Sequence, residues 1–224
     1  MSGDRSEHKR RAAAAAAETV TDGDVVGLGS GSTTAFAIDF LGERVADGLD
    51  IVGIPTSTQA ADRARTAGVP VRQPADVEGI DIAIDGADQV AGTALIKGGG
   101  GAHLREKVID TAADRFVVVV DGTKVVETLN LPIPLEVLPD ARPLVADSIR
   151  SLGGDPHLRR HDDYPLITEN GNYLLTGDFG AVSDPHTLAN SLSRIPGILA
   201  HGLFLDCVDA IYVGRPQSVD RITQ

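Results

Sequence analysis

Two aspartates, the lysine at position 97, four consecutive glycines and a glutamate fall within residues 85–107, DGADQVAGTALIKGGGGAHLREK. Carboxylates such as Asp85, Asp88 and Glu106 can move protons. An ammonium such as Lys97 can hold negative charge as it develops on a substrate oxygen. The Gly98–Gly101 run lets backbone approach a ligand closely and adopt conformations closed to other residues. It also costs backbone entropy on folding, so some structural or chemical demand must offset that cost. Each part has an ordinary alternative. Asp85-Gly86-Ala87-Asp88 alone reads as a solvated turn after a strand, and Glu106 as a solvent-facing carboxylate favoured by a helix dipole. Lys97 followed by four glycines is harder to explain in such terms.

A second cluster is Gly27-Leu28-Gly29-Ser30-Gly31-Ser32-Thr33-Thr34. It fails the dinucleotide fingerprint, because Ser32 or Thr34 stands where the third glycine belongs. It fails the Walker pattern too, because no lysine precedes the hydroxyl residue. What remains is a strand, a tight turn and a helix whose first turn offers backbone N–H groups beside several hydroxyls. That combination suits a phosphate monoester, whereas a plain capped turn would need only one serine. The six histidines do not assemble. His157 and His161 are four apart, but Pro156 and Asp162-Asp163 mark an exposed loop and argue against a metal site. His103 adjoins the glycines and reads either as lining the site or as an exposed helix-start residue.

The elements that position these groups alternate through the first half. Strands are expected at Val25–Leu28, Ile51–Ile54, Ile80–Ile84 and Phe116–Val120, with a short extended piece at Val69–Val71. Helices are expected at Thr33–Val45, Ser57–Ala67 and Leu104–Ala113. Alternation of this kind implies a Rossmann-like, doubly wound parallel sheet with ligands at the carboxyl ends of its strands. Beyond Asn130 the texture changes, and Leu131-Pro132-Ile133-Pro134 reads as a linker or the start of an edge strand. There follow a strand near Leu135–Leu138, a helix over Ala141–Leu152 and an extended piece near Leu158. A hairpin is expected around Asn170-Gly171. A helix capped by Asp184 and opened by Pro185 comes next, then strands at Ile198–Leu205 and Ala210–Val213. The fold class is therefore α/β with a second, smaller α+β domain. The larger domain takes residues 1–130 plus 206–224, with the last strand returning to the first sheet, and the smaller takes 131–205.

Composition narrows the function classes. A chain of 224 residues with 42% hydrophobic and 23% charged content is globular and long enough for one large or two small domains. A net charge of −12 argues against nucleic-acid binding, which needs a basic face. No apolar run approaches the ~18–20 residues of a bilayer-spanning helix. The single cysteine, Cys207, allows no internal disulfide and fits a reducing cytoplasm. Lys9-Arg10-Arg11 before Ala12–Ala17 mimics a secretory signal, but six alanines followed by Glu18 read better as the start of a helix. Aspartate outnumbers glutamate 24 to 8, and only 4 lysines accompany 16 arginines. This is the pattern of a salt-adapted surface, in which self-repulsion is screened by concentrated salt. The thermal midpoint is expected to rise between millimolar and molar KCl; a fall across that range would contradict the idea. In a chain so poor in lysine, Lys9, Lys97, Lys107 and Lys124 stand out.

In order and spacing, GLGSGST, DGAD, KGGGGAHLREK and Asp121-Gly122-Thr123-Lys124 resemble the A-type ribose-5-phosphate isomerases. The likeness extends through Pro132–Val137 (Pro-x-Pro-x-Glu-Val), through Asn170-Gly171-Asn172, and from Ile195-Pro196-Gly197 to Gly202-Leu203-Phe204. The resemblance implies a metal-free, cofactor-free aldose–ketose isomerase acting on a sugar phosphate, cytoplasmic and assembled as a homodimer or homotetramer. By position it makes Glu106 the base moving a proton between C2 and C1. Asp85, Gly86, Ala87 and Asp88 would line the sugar, with Asp85 assisting ring opening. Lys97 and the backbone N–H groups of Gly98, Gly99 and Gly100 would stabilise the enediolate. Ser30, Gly31, Ser32, Thr33 and Lys124 would hold the phosphate, helped by Lys9. The chain departs from the family pattern at Ser30, where threonine is common, and at His103, a variable apolar position. Two other readings stand beside it: a sugar-phosphate sensor without catalysis, and a CoA-transferase-like enzyme with Glu106 as nucleophile.

Overall fold

The computed structural model describes residues 2–223, with side chains from residue 5 onward. In chain order the elements are α1 (Ser2–Ala17), β1 (Val25–Leu28), α2 (Ser32–Ala46), β2 (Val52–Pro55), α3 (Thr58–Thr66), β3 (Ile80–Asp85), β4 (Gln89–Ala91) and β5 (Ala94–Ile96). Next come α4 (His103–Ala112), β6 (Ala113–Asp121), β7 (Ile133–Val137), α5 (Arg142–Ser151), β8 (Asp155–Leu158), β9 (Arg160–His161) and β10 (Tyr164–Pro165). The last are β11 (Tyr173–Asp178), α6 (Pro185–Ser193), β12 (Ile198–His201), β13 (Leu203–Phe204), β14 (Ala210–Gly214) and β15 (Val219–Thr223).

Two compact units result. The first comprises the chain up to Ala87, Arg105–Val125 and the chain from Cys207 onward; the second comprises Asp88–Leu104 and Val126–Asp206. The segment Asp88–Leu104, which the sequence reading kept with residues 1–130, groups with the second unit because β4 and β5 pair with β13.

The first unit is built on a six-stranded sheet in the order β15-β14-β6-β3-β1-β2. All pairings are parallel except that of β14 with β15. As the sequence predicts, β14 returns to this sheet; β15 is an added edge strand that the sequence reading did not include. Helices cover both faces. On one, Ala12, Ala13, Ala16 and Ala17 pack with Val26, Ile38, Leu41, Ile82, Val117 and Val119. The alanine run therefore closes α1 rather than opening it, and its small side chains bring α1 close to the sheet. On the other, Ile109 of α4 packs with Ile54 and Ile80. Burial on both faces explains why β6 reads as a continuous Phe116–Val120 apolar run.

The second unit contains an antiparallel sheet in the order β12-β7-β11-β8 and a small three-stranded sheet, β13-β5-β4. Ile133 and Pro134 belong to β7, an interior strand buried along its whole length, and not to a linker or edge. Its Ile133, Leu135 and Val137 join Val145 and Ile149 of α5 and Leu192 of α6 in one apolar core. The Asn170-Gly171 turn is present, with Gly171 at φ +83° and Thr168 N–H donating to Asn172 O at 2.9 Å. Of the expected first hairpin strand only an Ile167–Tyr173 bridge forms, because β11 spends its ladder on β7 and β8.

Candidate active site

In the first unit β1 lies between β2 and β3, so crossovers leave it in opposite directions and open a switch point at the strands' carboxyl ends. The β1–α2 loop and Asp85, the last residue of β3, occupy that point. Asp85 is only 1% exposed. Its Oδ1 accepts from the amides of Ser30 (3.1 Å) and Gly86 (2.6 Å) and from the Thr34 hydroxyl (3.4 Å). Gly29 passes so close that a Cβ there would overlap this carboxylate. The second loop glycine is needed for approach and not merely for turning.

The loop then delivers α2. Gly31, at φ 105°, is its N-cap and brings no capping side chain, so the first-turn amides of Ser32 and Thr33 are not met by a side-chain cap. Such a helix start favours an anion. Lys9 Nζ donates to Ser32 Oγ at 2.9 Å. At the end of β6, Asp121 caps the short turn Gly122–Lys124 and accepts from the Thr123 amide at 3.0 Å and from its hydroxyl. Burial pushes the Asp121 carboxyl up, but these two hydrogen bonds and the nearby Lys9 and Lys124 ammoniums outweigh it and leave it below the usual carboxylate range. Two lysines are thereby gathered around one carboxylate, leaving a net positive locus. Lys9, Gly29, Ser30, Gly31 and Ser32 also line an open cavity of about 1400 Å³ within this unit.

The Ser30 hydroxyl is already engaged. It lies 2.9 Å from Thr56 Oγ1 and donates to Ser57 Oγ at 2.7 Å. Ser57 in turn caps α3 through the Ala60 amide (3.1 Å). Thr34, Thr56 and Ser57 are supporting residues that sequence reasoning did not single out. The signal was available: Thr56-Ser57-Thr58 is a second hydroxyl-rich strand-to-helix turn like that at Ser30–Thr34.

Glu106 stands in the first turn of α4 and is 5% exposed. Glu106, Ile109 and Asp110 are all buried whereas Val108 is 59% exposed. An i, i+3, i+4 stripe of this kind faces protein, so the solvent-facing alternative for Glu106 does not hold.

The second unit holds the other group. Lys97 follows β5 and is 1% exposed, among the largest fully buried side chains of the described residues. Its amide donates to Gly202 O at 2.8 Å, and its Nζ lies 5.1 Å from the centroid of the Phe204 ring. A desolvated ammonium over an aromatic face gains about 2 kcal/mol, which offsets part of its burial. Gly98 (φ +99°) and Gly101 (φ +84°) sit in the left-handed region, and Gly101 N–H closes the turn onto Gly98 O at 2.9 Å. Asp88 Oδ2 accepts from Gly99 N–H at 2.9 Å. His103 is fully buried, so of its two readings the exposed helix start does not hold. Its ring packs on Gly98, where a Cβ would lie 2.5 Å from His103 Cβ, and its Nε2 is 3.3 Å from Ala200 O.

Within the first unit the structure thus gathers Lys9, Ser30–Thr33, Asp85, Gly86 and Lys124; within the second it gathers Asp88, Lys97 and Gly98–Gly100. No group of three His, Cys, Asp or Glu side chains that could hold a metal occurs among the described residues. His157 pairs instead with Asp155 at 3.0 Å, and His161 lies 3.5 Å from Asp162.

The family model for ribose 5-phosphate isomerase A (phosphoriboisomerase A) matches residues 52–218. A ribose-5-phosphate isomerase A of Natronomonas pharaonis is 52% identical over 222 residues, covering 98% of both chains. One from Thermosynechococcus vestitus is 48% identical over 214 residues, covering 92% of this chain and 91% of its own. Among solved structures, ribose 5-phosphate isomerase A of Methanocaldococcus jannaschii superimposes with a TM-score of 0.92 at 38% identity, covering 97% of this chain and 98% of its own. A D-ribose-5-phosphate isomerase in complex with phospho-erythronic acid gives 0.96 at 38% identity, covering 98% and 99%. The chain belongs to the ribose 5-phosphate isomerase A family.

Proposed function

We propose that this protein interconverts D-ribose 5-phosphate and D-ribulose 5-phosphate through an enediolate, a step of the non-oxidative pentose phosphate pathway. The observation that carries the reading is identity of 52% to a ribose-5-phosphate isomerase A over 98% of both chains. Phospho-erythronic acid, the ligand of a structural relative, supports it chemically, because a planar carboxylate has the shape and charge of an enediolate. The family assignment favours isomerisation over both the sensor and the CoA-transferase readings.

A proton beside a sugar carbonyl is weakly acidic, so a carboxylate removes it only if the resulting oxyanion is stabilised as it forms. In this reading Glu106 carries the proton between C2 and C1. Asp85, oriented by three donors, assists ring opening and proton movement at the oxygens. Lys97 and the amides of Gly98 and Gly100 stabilise the enediolate, while Asp88 lines the sugar and holds the Gly99 amide. Ser32, Thr33 and the Gly31 backbone hold the phosphate with Lys124 and Lys9. Ser30 contributes mainly through its backbone, since Thr56 and Ser57 engage its hydroxyl.

The purified protein in molar KCl is expected to form ketose from ribose 5-phosphate and, in D2O, to wash deuterium into the carbon that gains the proton. Binding without turnover would favour the sensor, and acyl exchange dependent on CoA the transferase. Because Lys97 supplies the positive charge that a Lewis acid would otherwise bring, activity is expected to survive exhaustive EDTA treatment. Strict dependence on a divalent ion would contradict the scheme. The reading extends to a cytoplasmic homodimer or homotetramer, which light scattering in molar KCl would resolve. Among the described residues no helix is long and apolar enough to cross a membrane.

A further inference from the structure

The antiparallel sheet of the second unit has two differently made faces. Ile133, Leu135 and Val137 of β7 enter the apolar core, and alternation along the strand sends Pro134 and Glu136 to the opposite face. Glu136 is fully buried, between Leu174 of β11 and Ala200 of β12 in the strand register. A carboxylate there is costly unless its oxygens are satisfied. Oε1 accepts three hydrogen bonds, from Thr168 Oγ1 (2.9 Å), Asn170 Nδ2 (3.0 Å) and Asn172 Nδ2 (2.8 Å). Oε2 has no hydrogen-bond partner among the described residues. All three donors come from one turn, residues 168–172, so the carboxylate acts as a peg for that turn.

The turn in turn supports the glycine run. A Cβ added to Gly101 would lie 3.6 Å from Leu166 Cδ2 and 3.7 Å from both Leu174 Cδ2 and Thr168 Cγ2. The Gly101 backbone therefore faces those three side chains, with room for no more than a methyl group between. Thr168 is the link, with its methyl under Gly101 and its hydroxyl on Glu136. The other end of the run is tied to the same face. Gly202, whose carbonyl accepts the Lys97 amide, donates its own N–H to Pro134 O at 2.7 Å. His103, packed on Gly98, reaches the carbonyl of Ala200, the strand neighbour of Glu136.

We propose that Glu136 is a positioning residue for the oxyanion donors within Lys97–Gly100, acting through Thr168 and Gly101. The inference rests on the isomerase reading above. The carboxylate fixes the 168–172 turn, the turn fixes Gly101, and the amides of the run are thereby held at the height the enediolate needs. A misplacement of about 1 Å in such donors can cost ~100-fold in rate. An acceptor-only oxygen is what three converging donors require, and hydrogen bonds to an ionised acceptor are about twice as strong as neutral ones. Glutamine preserves the shape and the accepting oxygen; leucine preserves neither.

The test compares Glu136→Leu, Glu136→Gln and Thr168→Val with the unmodified protein, each well below its melting temperature in molar KCl. Donors that act on the transition state set kcat more than KM. Glu136→Leu and Thr168→Val are expected to lower kcat by about tenfold or more while KM for ribose 5-phosphate stays within about threefold. Glu136→Gln should keep kcat within about threefold. Amide exchange over residues 97–104 should accelerate in Glu136→Leu while the Gly29–Thr33 loop stays unchanged. Normal kcat in folded Glu136→Leu, or unchanged exchange over 97–104, would overturn the proposal. Should Glu136→Leu fail to fold, Thr168→Val decides, because it keeps the methyl under Gly101 and removes only the bond to Glu136; normal kcat there overturns it too. If the unmodified protein does not isomerise ribose 5-phosphate, the isomerase reading fails, whereas the exchange result still reports on whether Glu136 anchors the run.

Discussion

Glu106→Gln is expected to lower kcat by about 10³-fold, inside the ~10²–10⁴ range of a lost general base. Binding of phospho-erythronic acid should be nearly unchanged. The substitution keeps side-chain shape, so a residue 5% exposed on the inner stripe of α4 can be replaced without opening a cavity. What it removes is the ability to accept a proton. The phosphate groups assigned above (Ser32, Thr33, Lys9, Lys124) are untouched, so ligand affinity separates a chemical defect from a binding defect. Two measurements check this: kcat from ketose formation and the dissociation constant from calorimetry. Exchange of the substrate C2 proton with D2O should vanish in parallel with turnover. A Glu106→Gln enzyme turning over at a near-normal rate would remove this carboxylate from the mechanism.

Lys97→Met should lower kcat by about 10²–10³-fold, the usual cost of one lost oxyanion donor, without lowering the thermal midpoint. The second half of that expectation separates function from structure. Lys97 is 1% exposed and holds its charge over the Phe204 ring. A methionine of similar length fills the same space, carries no charge to desolvate, and packs its thioether well against an aromatic ring. If Lys97 were present for stability, Lys97→Met would melt earlier and catalyse normally. Lys97→Arg should not restore activity, because a planar guanidinium cannot place its charge where a compact ammonium sat. Rates and melting curves in the same KCl concentration decide between these outcomes, and wild-type kcat in Lys97→Met would exclude it as an oxyanion donor.

The parallel sheet was legible because its strands are buried on both faces and read as continuous apolar runs, Phe116–Val120 most clearly. Periodicity also exposed α2, α3, α5 and α6 to within a few residues of their observed ends. It could not resolve β4 and β5, strands of three residues each, which are too short to show alternation. Pro134 misdirected the reading of β7. A proline argues against an interior strand, but β12 gives way at that point to Gly202, whose N–H meets Pro134 O.

The candidate site shows the same division. Residue types and their order supplied the carboxylates, the lysine, the glycines and the hydroxyl-rich loop, because chemistry constrains which side chains can move a proton or hold a phosphate. The sequence could not tell whether Glu106 and His103 meet solvent, since one helical residue of either kind is compatible with both. Tertiary packing decided it and buried both. It also set Gly29 against Asp85, tied Ser30 to Thr56 and Ser57, and hung the 168–172 turn on Glu136. These contacts join residues 26 to 56 positions apart, and no local pattern encodes them. Side-chain chemistry is written residue by residue, whereas burial and orientation are properties of surfaces that exist only once the sheets have formed.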